Sequence, residues 1–505
     1  MSRVRFNIAA NIAAQAWSIL LAIACTPFYI KFLGIEAYGL IAFYLILQSV
    51  LQLLDLGLGA TVNREVARYS GLRERADASA FAAFVVTLER WYWVLGIIVG
   101  MGLFLALPVI SNWWLRPERL SQADIAESAR FFGLLALLQW PSIFYQSALM
   151  GLQRQVVLNV IQMPFAAVAS IGGLIFIWLG PRSVAALLGW QAAVLLCQTA
   201  LIYFYFWTHI GIGRAGARID LDVWRKHWRF SLGMSAISAT GLVLTHLDKL
   251  ILSRLLPLQS FGHYSLAGTV ARGLYVLITP VFSAYFPRLS ALVAEGDAAS
   301  VRLCYHTATQ VMAVLILPLA AMIALFPREI IFLWLHDWEL ATTIAPLATL
   351  LVIGTCLNGL INVPFALQLA HGRTSIALII NICLVAILVP SIIYATLHYG
   401  AVGGATMWAV VNALSLAVGI PATHKYLLNG DLKDWAFKDV LPPLLAAILV
   451  TGVGRVLIPA DLPAIYSLTA LAGLWILATL AAVLSSGPMR QWGRSAVKAL
   501  LPARR

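Results

Sequence analysis

Long apolar runs follow one another along this 505-residue chain, and they constrain its fold more than any other feature. A helix needs about 20 consecutive apolar residues to cross the hydrocarbon core of a bilayer. Only 11% of the residues are charged, against about 25% in soluble domains. The sequence therefore predicts an all-α polytopic membrane protein with fourteen transmembrane helices. Their predicted positions are about 7–30, 38–60, 81–108, 128–150, 155–179, 183–208, 230–254, 261–285, 303–326, 342–369, 375–398, 401–425, 439–458 and 463–485.

The connections between these runs are short, and they carry most of the basic residues. The longest are about 20 residues, too few for a folded extramembrane domain. Lys and Arg gather in alternate connections, as at 64–75 and 214–229, which predicts that these connections and both termini face the cytoplasm. The net charge of +13 is then an orientation signal and no sign of nucleic-acid binding. The five cysteines lie in apolar runs without CxxC spacing, so neither a disulfide framework nor a metal site is predicted.

An internal repeat divides the chain into two halves. Residues 31–42 read KFLGIEAYGLIA and residues 254–265 read RLLPLQSFGHYS, so a basic residue and an aromatic-Gly pair recur at a constant offset (254 − 31 = 223 and 262 − 39 = 223). Two units of six helices related in this way have the same orientation in the membrane. The predicted domains are an N-lobe at 1–210, a cytoplasmic interfacial linker at 211–229, a C-lobe at 230–426, and two added helices with a basic tail at 427–505.

Polar residues recur at spacings of three and four along the first two helices of each half, which places them on one face of each helix. Two halves meeting through these faces would enclose a water-filled cavity. Serine and threonine stripes often serve only helix packing, whereas intramembrane charges indicate function by default. Asp55 has the alternative role of a local cap beside Gly57 and Gly59. The predicted substrate-binding residues are Asn11 and Gln15 in helix 1, Gln48, Gln52 and Asp55 in helix 2, Lys249 in helix 7, and Thr269 and Arg272 in helix 8.

Three further titratable residues are candidates for coupling transport to H⁺ or Na⁺. Asp248 lies about 100° round its helix from Lys249, so we expect it to face its own bundle, as a structural partner or as a cation or proton site. His246 is a candidate proton carrier. Glu89 is either a cavity residue or half of an interfacial pair with Arg90. No cofactor is predicted, and no catalytic motif lies in a setting that would support an enzyme.

Two stretches resemble a known family of transporters. Residues 32–68, FLGIEAYGLIAFYLILQSVLQLLDLGLGATVNREVAR, resemble the opening of the polysaccharide transport family in the Phe-Leu-Gly…Tyr-Gly loop, the Leu-Asp-Leu-Gly at 54–57 and the arginine after helix 2. Residues 247–256, LDKLILSRLL, and 261–267, FGHYSLA, resemble its second-half signature. That family contains the Wzx-type flippases of lipid-linked oligosaccharides, in one superfamily with MATE exporters and the lipid II flippase.

The resemblance implies a V-shaped, two-lobed MATE-like fold that works by alternating access. It implies a cargo, an undecaprenyl-diphosphate-linked oligosaccharide, that moves from the cytoplasmic to the periplasmic leaflet of the bacterial inner membrane for O-antigen or other surface polysaccharide. Arg272 resembles in placement a cavity arginine in helix 8 of the lipid II flippase, whose last two helices form a groove for the lipid tail. Helix 1 departs from that protein, since no charge stands between Arg5 and Lys31. The implied partners are the cargo and membrane lipid, with a polysaccharide polymerase and assembly proteins as further candidates.

Two other functions stay open as alternatives. A cation-coupled multidrug exporter of the MATE type would favour buried acids, yet the polar stripes hold one acid, Asp55, against two bases, Lys249 and Arg272. Exporters of that type also tend to carry an acid in helix 1. A membrane polymerase or ligase of lipid-linked glycans would need a sizeable outer loop with catalytic residues, and no connection exceeds about 20 residues. The sequence therefore favours a flippase over an enzyme.

Overall fold

The structure is a computed structural model, and it describes residues 2–55, 57–71, 78–211, 246–428, 430–459 and 462–486. These ranges contain helices and no strand. The chain divides into two compact units, Met1–Gly262 and His263–Arg505. The sequence places the boundary in the linker at 211–229, almost all of which lies outside the described residues, so the predicted lobe boundaries stay a prediction.

The first unit is a bundle of helices around an aromatic core. Tyr92, Phe144 and Phe206 are among its fully buried side chains. A 3-10 turn, Gln52–Asp55, follows α2, and a π-helical turn, Val168–Gly172, joins α6 to α7. The helices are α1 (Ser2–Leu33), α2 (Ile35–Leu51), α3 (Leu58–Gly71), α4 (Ala78–Trp114), α5 (Gln122–Gly151), α6 (Gln155–Ala167), α7 (Gly173–Leu179), α8 (Val184–His209), α9 (residues 246–255) and α10 (Leu258–Arg272), which continues into the second unit.

The second unit is built around α12, which packs against α11, α14, α17 and α18. The long α15 is two helices joined at Gly400, where φ is 60°. This joint falls between the predicted helices at 375–398 and 401–425. The helices are α11 (Tyr275–Glu295), α12 (Ala298–Leu325), α13 (Pro327–Leu335), α14 (Trp338–Ala370), α15 (Thr374–Leu427), α16 (Leu432–Asp434), α17 (Leu441–Leu457) and α18 (Ala464–Ser485), with a π-helical turn, Trp435–Val440, before α17.

The lengths and composition of these helices fit a membrane protein. Nine helices in the described ranges are long and apolar enough to cross a bilayer, and two shorter apolar helices cover Trp17–Leu33 and Ile35–Leu51. The predicted all-helical polytopic membrane fold is therefore confirmed. The exact count of fourteen stays a prediction, since part of the chain lies outside the described residues.

Two helices that hydropathy predicts as continuous are interrupted. The predicted helix at 38–60 stops at Leu51, and α3 starts after Gly57, where φ is 67°. The predicted helix at 261–285 stops at Arg272, and α11 begins after Gly273 and Leu274. With the repeat offset of 223, the end of α2 at Leu51 corresponds to residue 274, two residues beyond Arg272, and the start of α3 at Leu58 corresponds to residue 281, six residues beyond Tyr275. The two breaks are therefore near each other in the repeat but do not coincide. Hydropathy does not record such a break, because it measures composition and carries no information on backbone geometry.

The two repeated signatures lie against each other within the first unit. A Cβ atom added to Gly39 would stand 3.1 Å from the backbone nitrogen of Gly262, and one added to Gly262 would collide with the carbonyl oxygen of Ile35. Helix backbones approach this closely only where the crossing residues are small. Glycine recurs in the repeat because α2 and α10 cross at Gly39 and Gly262 with their backbones in close contact.

A buried glutamate ties the connection after α4 to the same region. Glu36, 4% exposed, stands at the start of α2 and accepts hydrogen bonds from the backbone N–H groups of residues 118–120 at 2.6 to 3.1 Å. The N–H of Leu258 donates to the carbonyl oxygen of Arg116 at 2.9 Å. The connection between α4 and α5 thus bonds both to the Glu36 carboxylate at the start of α2 and to the N–H group of Leu258 at the start of α10.

We expect Gly262→Val to destabilise the protein by about 1–3 kcal/mol through overpacking at this crossing. Thermal unfolding of the purified protein in detergent measures the effect. Gly102→Val in α4 is the matched control, because nothing lies within 4 Å of a Cβ atom added there. Equal melting temperatures for the two variants would contradict the close crossing.

Candidate functional site

Five glutamines form a polar surface on the first unit, which we call the glutamine strip. Gln48 donates to Gln139 at 2.6 Å, and Gln162 donates to Gln146 at 3.0 Å. Gln52 is exposed and lines a small crevice together with Gln48 and Gln139. The strip therefore brings together side chains of α2, the turn after it, α5 and α6, with amide groups that both donate and accept hydrogen bonds.

Asp55 lies next to this strip at the break between α2 and α3. Its carboxylate accepts a hydrogen bond from the Tyr92 hydroxyl at 2.5 Å and from the backbone N–H of Gly59 at 3.0 Å. The bond to Gly59 is the local cap that the sequence allows, since it satisfies a free N–H group in the first turn of α3. The cap and a cargo-binding role are compatible, because the residue keeps part of its surface exposed.

Glu89 is buried in the aromatic core of the first unit. It is 1% exposed and accepts hydrogen bonds from the Tyr145 hydroxyl at 2.6 Å and from Trp207 Nε1 at 3.0 Å. Arg90, the next residue, is exposed. These contacts give Glu89 a structural role in joining α4, α5 and α8, and its role in ion coupling stays a prediction.

Lys249 and Asp248 in α9 form an ion pair. Asp248 is 2% exposed, and the Lys249 ammonium lies 3.4 Å from both of its carboxylate oxygens. Their backbone positions differ by about 100° round the helix, but the flexible lysine side chain spans that angle. His246 lies one turn earlier on α9 and is half-buried. The structure thus pairs Asp248 with Lys249, although the sequence places the two on different faces of the helix, and the predicted roles of both residues stay predictions.

Arg272 is the last residue of α10 and lies in the second unit. Its setting differs from the ion pair of Lys249 and Asp248. Its guanidinium is exposed and donates to the Thr269 hydroxyl at 2.7 Å. No carboxylate among the described residues pairs with it. The structure therefore brings together two of the predicted binding residues, Arg272 and Thr269, and leaves most of the guanidinium donors open to a ligand.

An asparagine cluster follows the break after Arg272. The Tyr275 hydroxyl, at the start of α11, donates to Asn358 at 2.9 Å, and Asn358 donates to Asn412 at 2.9 Å. Asn362 donates to the carbonyl oxygen of Asn358 at 2.8 Å. These bonds join α11, α14 and α15, and they hold the first residue of α11, Tyr275, against α14.

Sequence reasoning missed several polar residues of this site. Gln139, Ser142 and Gln146 recur at i, i+3 and i+7 on α5, a spacing that is visible in the sequence. Asn358 and Asn362 likewise recur at i and i+4 on α14, whereas Asn412 carried no such signal, because it stands alone in its apolar run. Of the predicted residues, Asn11 and Gln15 lie in α1, but their side chains fall outside the described residues.

The described ranges were also compared with the residue groupings that metal ions and disulfides require. Within them no group of three or more His, Cys, Asp or Glu side chains is arranged to hold a metal ion, and all five cysteines are free thiols. Among the described residues, the glutamine strip of the first unit offers neutral amides, and Arg272 of the second unit offers an exposed guanidinium.

These features define a multi-pass membrane protein of the MATE-like fold. Its solved structural neighbours include the lipid II flippase MurJ in an inward closed conformation, with a TM-score of 0.70 and 13% identity over 94% of this chain and 98% of that chain. A multidrug resistance MATE family transporter in an inward-facing conformation gives a TM-score of 0.69 and 16% identity over 83% of this chain and 96% of that chain. Likenesses at this level of identity show the fold.

The family follows from the sequence match. The family described as "Polysaccharide biosynthesis protein" matches residues 4–293, which is more than half of the 505 residues, so the chain belongs to that family. A putative O-antigen transporter of Shigella flexneri is 21% identical over 406 residues, covering 79% of this chain and 93% of that protein. The lipopolysaccharide biosynthesis protein WzxC of Escherichia coli K12 is 24% identical over 362 residues, covering 70% of each. The predicted Wzx-type resemblance is confirmed.

We expect the ion pair in α9 to behave as a coupled unit. Lys249→Gln leaves the buried charge of Asp248 without its cation, which typically destabilises a protein by about 3–5 kcal/mol. Adding Asp248→Asn removes that charge, so the double variant should recover much of the lost stability. Thermal unfolding in detergent of the two single variants and the double variant measures this coupling. If the stability losses of the two single variants simply add up in the double variant, the two side chains do not stabilise the protein as a pair.

Proposed function

We propose that this protein is a flippase that moves an undecaprenyl-diphosphate-linked oligosaccharide from the cytoplasmic to the periplasmic leaflet by alternating access. The cargo serves O-antigen or another surface polysaccharide. Membership of the polysaccharide biosynthesis family and similarity to an O-antigen transporter and to WzxC support this function. The fold supports it too, because a lipid II flippase has the same architecture.

The observation that carries the proposal is the exposed guanidinium of Arg272. A carboxylate partner would neutralise a cation of this kind, but the bond to Thr269 is to a neutral hydroxyl. Arginine presents five donors in a planar fork that matches phosphate oxygens. Arg272 is therefore the residue we assign to the diphosphate. Lys249 has a weaker claim, since its ammonium already faces Asp248.

The glutamine strip is the surface we assign to the sugars. Sugar hydroxyls both donate and accept hydrogen bonds, as amide groups do. Gln48 and Gln52 belong to this surface, which Gln139, Gln146 and Gln162 extend along α5 and α6, and Asp55 lies beside it. Asn11 and Gln15 stay candidates for the same role.

The cellular setting follows from the proposed cargo. We place the protein in the bacterial inner membrane with both termini in the cytoplasm, as the distribution of Lys and Arg favours. It works as a carrier without a catalytic step, and one of its relatives is named a putative O-antigen transporter. A polysaccharide polymerase and assembly proteins are the partners that would consume the delivered cargo. Asp248, His246 and Glu89 stay the candidates for coupling to H⁺ or Na⁺.

We expect Arg272→Gln to lower surface polysaccharide by about tenfold or more, because a charge-assisted bond to phosphate is lost. The measurement is surface glycan in a strain that lacks the native gene, at matched protein level in the membrane. Arg272→Lys keeps the charge and should retain part of the activity. Unchanged glycan with Arg272→Gln would remove Arg272 from the site.

The control for this test is Arg130→Gln. Arg130 is an exposed arginine of α5 that the proposal does not place in the site. It should leave surface glycan at the level of the unaltered protein. A loss of equal size in both variants would mean that any lost arginine impairs the protein, and the assignment to Arg272 would fail.

We expect the pair Gln48→Ala and Gln139→Ala to lower surface polysaccharide while the protein stays folded. Both side chains are half-buried and bond mainly to each other, so removing both leaves no unpaired amide. Surface glycan and the melting temperature are measured together. Ser49→Ala on the same helix is the control, because its hydroxyl bonds only to the Leu45 carbonyl oxygen. Normal glycan in the double variant would contradict a role in sugar binding.

A further inference from the structure

One turn of the first unit recurs in the second unit at a fixed distance along the chain. Gln153, between α5 and α6, has a φ of 56°, and Gly372, between α14 and α15, has a φ of 68°. The next residue is an arginine in both turns, and its N–H group donates to the carbonyl oxygen five residues before it at 2.9 Å in both. Because 372 − 153 = 219, residues of α5 and α6 have counterparts 219 residues later, in α14 and the first part of α15.

This offset pairs two glutamines of the glutamine strip with asparagines of the second unit. Gln139 corresponds to Asn358 (358 − 139 = 219), and Gln162 corresponds to Asn381 (381 − 162 = 219). All four side chains are half-buried. The helix α14 and the predicted helix at 375–398 contain four asparagines and glutamines between them, and two of the four stand at this offset. Part of the amide pattern of the strip therefore recurs in the second unit.

The two corresponding amides on α5 and α14 are also bonded in a similar way. Gln139 accepts a hydrogen bond from Gln48, which lies near the end of α2. Asn358 accepts one from Tyr275, the first residue of α11. With the repeat offset of 223, Tyr275 corresponds to Gln52, one turn after Gln48, and Gln52 lines the crevice beside Gln139. In each unit, a polar side chain near a helix break thus meets an amide of a neighbouring helix.

The bonds of the asparagine cluster leave its amides with further capacity. Asn358 accepts from the Tyr275 hydroxyl and donates to Asn412. An amide has two donor hydrogens and two acceptor lone pairs, so these bonds use half of that capacity. Asn362, one turn further along α14, donates to the carbonyl oxygen of Asn358. Tyr275, Asn358 and Asn362 are all half-buried, so part of each side chain is accessible to a ligand.

Helix packing accounts for one member of the cluster better than for the others. Amides often hold helices together in membranes. Asn412 fits that role, because it is 4% exposed and bonds both to Asn358 of α14 and to the carbonyl oxygen of Trp408. The bond of Asn362 lies within α14 and joins no two helices. Packing therefore gives no reason for an amide at Asn362.

The cluster begins three residues after Arg272, and both belong to the second unit. Three residues of chain span at most about 11 Å, which limits the distance between the Cα atoms of Arg272 and Tyr275. Under the proposed function, Arg272 binds the diphosphate of the cargo. The part of the cargo within reach of the cluster is then the sugar attached directly to the diphosphate.

We propose that Tyr275, Asn358 and Asn362 form a second sugar subsite, which binds hydroxyl groups of the neutral sugar attached directly to the diphosphate. This inference rests on the proposed function and adds to it a site in the second unit. Sugar hydroxyls both donate and accept hydrogen bonds, and the two amides and the tyrosine hydroxyl offer both kinds of group. The three side chains carry no charge, which suits a neutral sugar.

The experiment measures the dissociation constants of two lipids for the purified full chain in detergent. One lipid is undecaprenyl diphosphate, and the other is the same lipid carrying a single neutral hexose. The unaltered protein should bind the hexose-bearing lipid more tightly, by about three- to tenfold for each hydrogen bond to the hexose. Asn362→Ala and Asn358→Ala should each reduce that advantage and leave the affinity for the sugar-free lipid unchanged.

Two measurements separate sugar binding from a structural effect. The melting temperature of Asn362→Ala should equal that of the unaltered protein, because the lost bond lies within one helix. Gln198→Ala is the matched control, since Gln198 is a half-buried amide of α8 that lies outside the proposed site. It should leave the affinities for both lipids unchanged. Equal affinity of the unaltered protein for the two lipids, or asparagine variants that weaken both lipids alike, would overturn the subsite.

Arg272→Gln distinguishes failure of the subsite from failure of the proposed function. This variant should weaken both lipids, because both carry the diphosphate. If the unaltered protein binds neither lipid, the proposed function fails and the subsite fails with it. If Arg272→Gln weakens both lipids while the asparagine variants weaken neither, the proposed function stands and the subsite alone is wrong.

Discussion

An ionised or amide side chain inside a membrane-spanning fold needs a partner within the protein, because lipid offers none. The carboxylates of the described residues meet this requirement in several ways, and backbone N–H groups serve Glu36. Asp55 and Glu89 accept bonds from tyrosine hydroxyls on other helices, while Asp248 and Asp439 face a lysine and a histidine. Most of these partners are distant in sequence, so the bonds determine which helices pack together. Arg272 is different, since its hydrogen-bond partner among the described residues is a neutral hydroxyl.

The apolar runs predict most of the helices because a span of a given length requires a given number of apolar residues. The joint at Gly400 is also visible, since it separates two runs of that length. The breaks after Leu51 and Arg272 were not predicted, because hydropathy measures composition and a break depends on backbone geometry. The repeat brings the two breaks close together without making them coincide, since α2 and α10 end within two residues of corresponding positions.

The polar residues of the candidate site could be grouped from the sequence where they recur in register along one predicted run, as with Gln48 and Asp55, although the structure places Asp55 in the turn after α2. It was not predictable where the partner comes from a distant segment. The angle between Lys249 and Asp248 round the helix suggested two separate directions, but the length of the lysine side chain lets its ammonium reach the carboxylate. His306 gave no signal, since Asp431 and Asp439, which it contacts, lie more than 120 residues further along the chain.

The way the glutamine strip is bonded bears on how a carrier could release its cargo. Gln48 already bonds to Gln139, and Gln162 to Gln146, so a sugar hydroxyl would exchange one hydrogen bond for another. The net gain of such an exchange is small, about 0.5–1.5 kcal/mol for each bond. A charge-assisted bond from Arg272 to phosphate is roughly twice as strong. Under the proposed function, the diphosphate would supply most of the affinity and the sugars would be held weakly, which allows binding on one side and release on the other.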